Sequence, residues 1–459
     1  MRSRLLLIVV LVFVGLSVPS ARADQAADRP WSVGYAEADI TPVIGHAQMS
    51  GYGSERYAQG THAPLLTQVI VLRDADAHTA ILITADIAGF ERVMTEAIRR
   101  DIARKHNVPA ENIILAASHT HWGPATAFHA TFAAGGPNVW YMAFLEETIL
   151  AAVDAAMANL APAAVEYGAI EFRGFTCNRR LPVNGKIGWG PYAEGSTDPH
   201  TPILRLSRYC PPRQIVIVGH ACHPTSSGSM QKWSPDYPGA MRDGIASQLP
   251  DAKAVFVQGC GADAKVACKD PKTGALVFAA DPNQAREAGE KLARAALSHL
   301  ETGPMTPVAA SFASSVATGQ LSYGPHWSRE ETEREAYTGS RKAYYTWVAR
   351  QSLALPDAST SFRYDVQVWK LGGSLTIFAM EGEVCSPWGP TLRAMAGTDR
   401  AMVLGYVTNA TAYIPDQRIV REGGYEGGEA QKFFLPGPFT ENIDAEIKQI
   451  VTTALNGLK

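Results

Sequence analysis

Ile113-Ile114-Leu115-Ala116-Ala117-Ser118-His119-Thr120-His121-Trp122-Gly123-Pro124 is the stretch on which fold and chemistry both turn. Five apolar residues in a row, opened by two β-branched isoleucines, read as a buried strand. The strand ends by presenting two histidines, two residues apart, to a glycine-proline turn. In an extended segment residues i and i+2 point to the same face, so both rings face one cavity. Imidazole is the side chain best suited to hold a metal ion or to move protons near neutral pH. One ring of such a pair can bind a metal while the other donates a proton or holds a substrate.

Outward from this segment, residues 67–72, 80–84, 203–206, 215–218, 254–257, 374–380 and 401–406 are further short apolar runs of strand length. Helical spacing recurs over 93–106, 140–160, 238–248, 283–300, 329–353 and 441–455. Strands alternating with helices predict an α/β fold with a mixed central sheet, flanking helices and a metal site at strand ends. Polar residues collect just past the strands: Asp86, His119 and His121, His223, Asp263, Glu383 and Asn409. Sites of α/β enzymes lie beyond strand C-terminal ends.

The first 23 residues read as a signal peptide. Arg2 and Arg4 form a positive start, residues 5–18 are apolar, and Ala21-Arg22-Ala23 is a small-x-small cleavage site. The apolar run is too short to favour a membrane span. The remaining residues, 24–459, read as one hydrolase domain without a transmembrane anchor, exported to a periplasm or secreted. Cleavage removes three of the 41 basic side chains and leaves 38 against 44 acidic ones. A mildly acidic chain carries no electrostatic footprint for nucleic acid. Of the six cysteines, Cys260 and Cys268 are near enough in sequence to close a small loop and form the expected disulfide; buried free thiols are the alternative.

Other segments carry candidate groups. Gly219-His220-Ala221-Cys222-His223-Pro224 follows a strand, and either histidine can be a ligand. Gln258-Gly259-Cys260-Gly261-Ala262-Asp263 is a glycine-rich turn without P-loop spacing, read as a tight turn. Glu383 ends another apolar strand and supplies a carboxylate. Tyr413 and Tyr425 sit in segments rich in glycine and proline. Trp327, Tyr337, Tyr344, Tyr345 and Trp347 read first as the packed face of an amphipathic helix, and second as a lid.

Taken together, these segments resemble the neutral/alkaline non-lysosomal ceramidase family, specifically its amino-terminal metal-hydrolase domain. The resemblance rests on Asp39-Ile40-Thr41-Pro42, Met49-Ser50-Gly51-Tyr52, the Ser-His-Thr-His-x-Gly-Pro segment and Tyr237-Pro238-Gly239, and runs to about Gly427. It implies one zinc ion per chain, held by His119, His223, Glu383 and Tyr413. It also implies a substrate cavity lined by His121, Arg179 and Tyr425. The implied reaction is hydrolysis of a C–N amide bond in a small-molecule or lipid N-acyl compound, such as a sphingolipid, by zinc-activated water. The alternatives are an esterase or lactonase on the same site, and an exported binding protein without turnover. The chain departs from the family in three ways. Lys265 stands where the family has a serine, Glu381 where it often has proline, and the further immunoglobulin-like domain of full ceramidases is expected to be missing.

Overall fold

The computed structural model describes residues 31–51, 56–127, 135–325, 328–338, 350, 353, 361–430 and 437–458. The expected signal peptide lies outside them, as do Tyr52, Trp327, Tyr344, Tyr345 and Trp347.

The strands are Trp31–Asp39 (β1), Leu66–Arg73 (β2), Thr79–Ala85 (β3), Ile113–Ala117 (β4), Ala161–Glu171 (β5), Thr176–Val183 (β6), Lys186–Tyr192 (β7), His200–Arg208 (β8), Gln214–His220 (β9) and Ala252–Gln258 (β10). They continue with Ala264–Lys269 (β11), Leu276–Phe278 (β12), Thr306–Pro307 (β13), Phe312–Ser322 (β14), Ser361–Leu371 (β15), Leu375–Glu381 (β16), Glu383–Val384 (β17), Ala401–Val407 (β18) and Tyr413–Ile414 (β19). The helices are Arg92–His106 (α1), Val139–Ala158 (α2), Tyr237–Gln248 (α3), Pro282–Thr302 (α4), Arg329–Thr338 (α5), Trp388–Ala396 (α6), Gln417–Glu422 (α7) and Ile443–Asn456 (α8).

Thirteen strands form one mixed sheet in the order β10-β9-β8-β5-β1-β2-β3-β4-β18-β16-β15-β14, with β13 added to β5. The pairs β9/β10, β3/β4 and β16/β18 are parallel and the others antiparallel. The sheet folds over on itself. Its end strand β10 lies against β3, β4 and β18, and Gln68 of β2 donates across the gap to the Ala254 carbonyl of β10 at 2.9 Å. The inner faces share one apolar layer that includes Ile70, Leu82, Ile114, Leu204, Ile217, Val255, Ile377 and Leu404. Burying one such aliphatic side chain contributes about 1.5–3 kcal/mol, so this layer is what holds the two halves together.

Helices cover the outer faces. α1 and α2 pack through Ile98, Ile102, Leu145 and Ile149. α3 and α4 pack through Met241, Ile245 and Leu292, and α8 packs through Ile443, Ile447 and Val451. Local chemistry sets their ends. Asn138 caps α2 by accepting from Trp140 and Tyr141 N–H, and Asp281 with Pro282 opens α4. Asn107, left-handed at φ 54°, closes α1 behind Arg104, Lys105 and His106, which oppose the negative end of the helix dipole.

The expected fold class is the observed one, with differences in detail. Strands β3 and β4 are buried at every residue, and such strands read as unbroken apolar runs. Strand β5 alternates inward Ala161, Ala163, Val165 and Tyr167 with outward Pro162, Ala164 and Glu166, but its proline and its run of alanines hide that period in the sequence. The helix expected over 329–353 is described as far as Thr338, and Tyr337 there is solvent-exposed rather than packed on the core. The expected Cys260–Cys268 disulfide is not formed. All six cysteines are free thiols; Cys260 is buried in the apolar layer under α8, while Cys268 lies on β11 beside α4. Unfolding the purified protein without reductant should therefore expose six titratable thiols per chain; four would restore the bridge.

Candidate metal centre

Folding the sheet over brings the turns after β4, β9 and β10 to the turn after β16. His119 leaves β4 in a left-handed conformation, φ 67°, a strained backbone for a residue with a Cβ. Its Nδ1 donates to the Ala88 carbonyl at 2.5 Å. His223 leaves β9, and its Nδ1 donates to the Gly261 carbonyl at 2.9 Å. A carbonyl only accepts, so both rings carry the Nδ1 proton and turn bare Nε2 lone pairs inward.

Those two Nε2 atoms lie 3.1 Å apart. Glu383 Oε2 is 3.3 Å from the first and 3.1 Å from the second. That oxygen is buried and, among the described residues, accepts no hydrogen bond from outside the two rings. Three electron-pair donors thus close a triangle with no proton among them, an arrangement that a cation relieves. Ligands bonded at about 2.0–2.1 Å to a tetrahedral metal ion sit about 3.3 Å from one another, and the observed edges match. Two imidazoles and a carboxylate are a common ligand set for such an ion. His121 Nε2 lies 3.2 Å from His119 Nε2, and the three histidines together can hold a metal ion.

Tyr413 is placed by strand register, because β17 and β19 pair in parallel with Glu383 beside Tyr413. Its Oη accepts from Arg179 Nη2 at 3.1 Å. Arg179 is buried, and its Nε donates to Glu426 at 2.6 Å. Arg180 donates to the other Glu426 oxygen at 2.8 Å and to Glu422 at 3.1 Å. Arg179 thus joins Tyr413 to the buried acid, and its guanidinium also lies 5.4 Å from the Tyr425 ring centroid. Tyr425 is partly exposed, with its ring centroid 5.5 Å from that of Tyr413.

Burial pushes the Glu383 carboxyl up, but the charge and donation of His119 and His223, acting when a ring is protonated, outweigh it and hold the carboxyl well below the usual range, so a proton entering the triangle goes to a ring and not to the carboxylate. Burial, then the Arg179 charge, pushes His223 down to about 3. Burial and the neighbouring histidines hold His121 well below its ordinary value. Burial, then Glu383, keeps Tyr413 well above its own.

The other strand-end residues support the site without entering it. His220, the alternative ligand, is tied at both nitrogens, to Thr176 at 2.7 Å and Thr201 at 3.0 Å. Asp86 pairs with Arg242 at 2.6 Å. Asp263, pushed up to about 6 by burial, takes Ser386 N–H at 2.7 Å and so fixes the chain after Glu383. The glycine-rich turn is the tight turn expected: a Cβ on Gly261 would lie 2.4 Å from Cys222 N. Gly51, at φ 95°, makes room for His121, whose Nδ1 would be 2.2 Å from a Cβ there. Tyr237 Oη holds the Cys222 carbonyl at 2.6 Å, next to His223.

Sequence reading missed three contributors. The Tyr406 ring lies 4.2 Å from that of His119, and its position at the end of an apolar strand was the available signal. Glu426 stood in plain view beside Tyr425, and the adjacent Arg179-Arg180 pair called for an acid. Trp189, 4.5 Å from the Arg179 guanidinium, had no signal.

Residues 31–239 match the family model described as neutral/alkaline non-lysosomal ceramidase, N-terminal. This part of the chain is similar to that family's amino-terminal domain. It holds His119, His121, Arg179 and His223, whereas Glu383, Tyr413 and Tyr425 lie beyond it. The neutral ceramidase of Pseudomonas aeruginosa is 32% identical over 186 residues, which are 38% of this chain and 27% of that protein. The aligned part thus spans about a quarter of that relative's length. In fold, the crystal structure of neutral ceramidase from Pseudomonas aeruginosa has a TM-score of 0.73 at 19% identity, covering 93% of this chain and 74% of that one. A structure described as ceramidase complexed with C2 has a TM-score of 0.72 at 18% identity, covering 93% and 75%.

The Glu426 carboxylate is the buried counter-charge of two arginines. Glu426→Gln should destabilise the protein by about 3–5 kcal/mol, read as a shift of the urea midpoint at constant slope.

Proposed function

We propose that this chain is a zinc-dependent hydrolase that cleaves the C–N amide bond of an N-acyl compound, in the manner of a ceramidase. The observation that carries this reading is the proton-free triangle of His119 Nε2, His223 Nε2 and Glu383 Oε2. Its edges and donor types suit zinc. The family match over residues 31–239 and the fold likeness support the substrate class.

Under this reading His119, His223 and Glu383 hold the ion, and Tyr413 beside Glu383 completes the set. Bound zinc supplies a Lewis acid that polarises an acyl oxygen and acidifies water. His121, with Nε2 beside the triangle, holds the proton released during attack and returns it to the departing amine nitrogen. Arg179 keeps the Tyr413 hydroxyl in place while Glu426 keeps Arg179 there. Tyr425, at the open side, offers its hydroxyl to the acyl oxygen as charge develops; one such donor is worth about 3 kcal/mol in other enzymes. Among the described residues no helix is long and apolar enough to cross a membrane. The leader-like character of residues 1–23 is what supports export, and with it a substrate met outside the cytoplasm.

His119→Ala should lose bound zinc and hydrolysis together, measured as metal content and as turnover of N-acyl amides. His121→Ala should keep the metal and lose about 10²–10⁴-fold in turnover. Chelation should abolish activity and added zinc restore it. Full activity in metal-stripped protein would sink the reading, and hydrolysis confined to esters or lactones would replace amidase by esterase.

A further inference from the structure

Lys265 is the second residue of β11, and its backbone bridges in parallel to His223. Residues opposed across such a bridge send their side chains to the same face, so the lysine points to the side on which His223 meets the metal triangle. Its ammonium lies 5.6 Å from the Trp189 ring centroid and 5.1 Å from that of Phe278. Trp189 also touches Arg179 and Tyr425, at 4.5 and 5.0 Å. Lysine, tryptophan, arginine and tyrosine therefore form one wall of the site.

The charges on that wall are unevenly matched. Arg179 and Arg180 are matched by Glu426 and Glu422. The carboxylate that acts on Lys265 from a distance, Asp236, is already taken by Ser226 N–H, Ser227 Oγ and Tyr237 N–H. Among the described residues no carboxylate lies within ion-pair distance of the Lys265 ammonium. Ring faces return less than a cation loses on leaving water. The wall thus presents one uncompensated positive charge, next to apolar rings.

We propose that Lys265 is a specificity-determining residue that binds a carboxylate of the substrate, so that the protein takes N-acyl compounds carrying a single negative charge near the scissile bond, such as N-acyl amino acids, ahead of neutral ones. The proposal rests on the hydrolase reading for turnover but not for binding. A lone ammonium on a flexible stem is a point charge that suits one carboxylate, and the apolar rings accept the chain beside it.

The test uses the zinc-loaded protein and its Lys265→Met and Lys265→Arg variants, with metal content checked in each. N-dodecanoylglycine places the charge on the amine side and N-dodecylsuccinamic acid on the acyl side. Each is compared with its neutral carboxamide by kcat/KM. Binding is compared in parallel with the non-hydrolysable pair N-(dodecylsulfonyl)glycine and its carboxamide. At least one charged amide should be preferred tenfold or more by the native protein. Lys265→Met should lose that preference by losing tenfold or more kcat/KM on the charged partner relative to the neutral one, and Lys265→Arg should keep most of it. No preference in the native protein, or a preference that survives in zinc-loaded Lys265→Met, overturns the assignment. If no amide is hydrolysed but Lys265→Met still weakens binding of the charged sulfonamide, the hydrolase reading falls and the carboxylate site stands.

Discussion

Two imidazole nitrogens and one carboxylate oxygen stand within 3.1–3.3 Å of one another in a buried corner, with no proton between them. Without a cation they repel, and the protein must hold them together by other means. It does so through their far sides. The Ala88 and Gly261 carbonyls fix the two rings as Nδ1–H tautomers, and β17, paired to β19, fixes the carboxylate beside Tyr413. Much of the surrounding structure serves this arrangement: the left-handed backbone at His119, the close approach of Gly261 to Cys222, and the Asp263 clamp on Ser386.

The folded-over sheet makes this convergence possible. The strands that precede the two histidines, β4 and β9, are not neighbours in the sheet order. They meet because the apolar layer between the two halves of the sheet sets β10, the partner of β9, against β3, β4 and β18. Outside the metal triangle the site depends on a second buried network, in which one acid, Glu426, neutralises two arginines and so aims Arg179 at Tyr413. The two networks meet at Tyr413. The Lys265 charge stands apart from both, which is why we assign it to substrate rather than to the scaffold.

The parts of the fold legible in the sequence were those buried on both faces. Strands β3, β4, β9 and β10 and helices α1, α2 and α4 stand out by composition and period. Strand β7 did not, because glycines and exposed side chains leave it no apolar alternation, and in β5 alanines on both faces hide the alternation that its burial shows. The His119-Thr120-His121 spacing announced a shared cavity directly. The resemblance already put His223 ahead of His220, and the packed fold adds the physical reason, because both nitrogens of His220 are bound to threonines. The same holds for Arg179: its charge was visible in the sequence, but its partners Glu426 and Tyr413 were not.

Sequence alone determined the kinds of groups available and their local geometry. Two histidines stand two residues apart past a strand end, a carboxylate follows another strand, and an apolar inventory suffices for a large mixed sheet. These are properties of near neighbours in the chain, set by backbone period and side-chain chemistry. Tertiary structure decided which groups meet, which tautomers they carry, and which charges are left uncompensated. Those depend on contacts between residues separated by more than a hundred positions, such as His119 with His223 and Arg179 with Glu426, and no local pattern encodes them. The cysteines show the same division: proximity in sequence suggested a bridge, and the packing of Cys260 and Cys268 into different apolar clusters kept them apart.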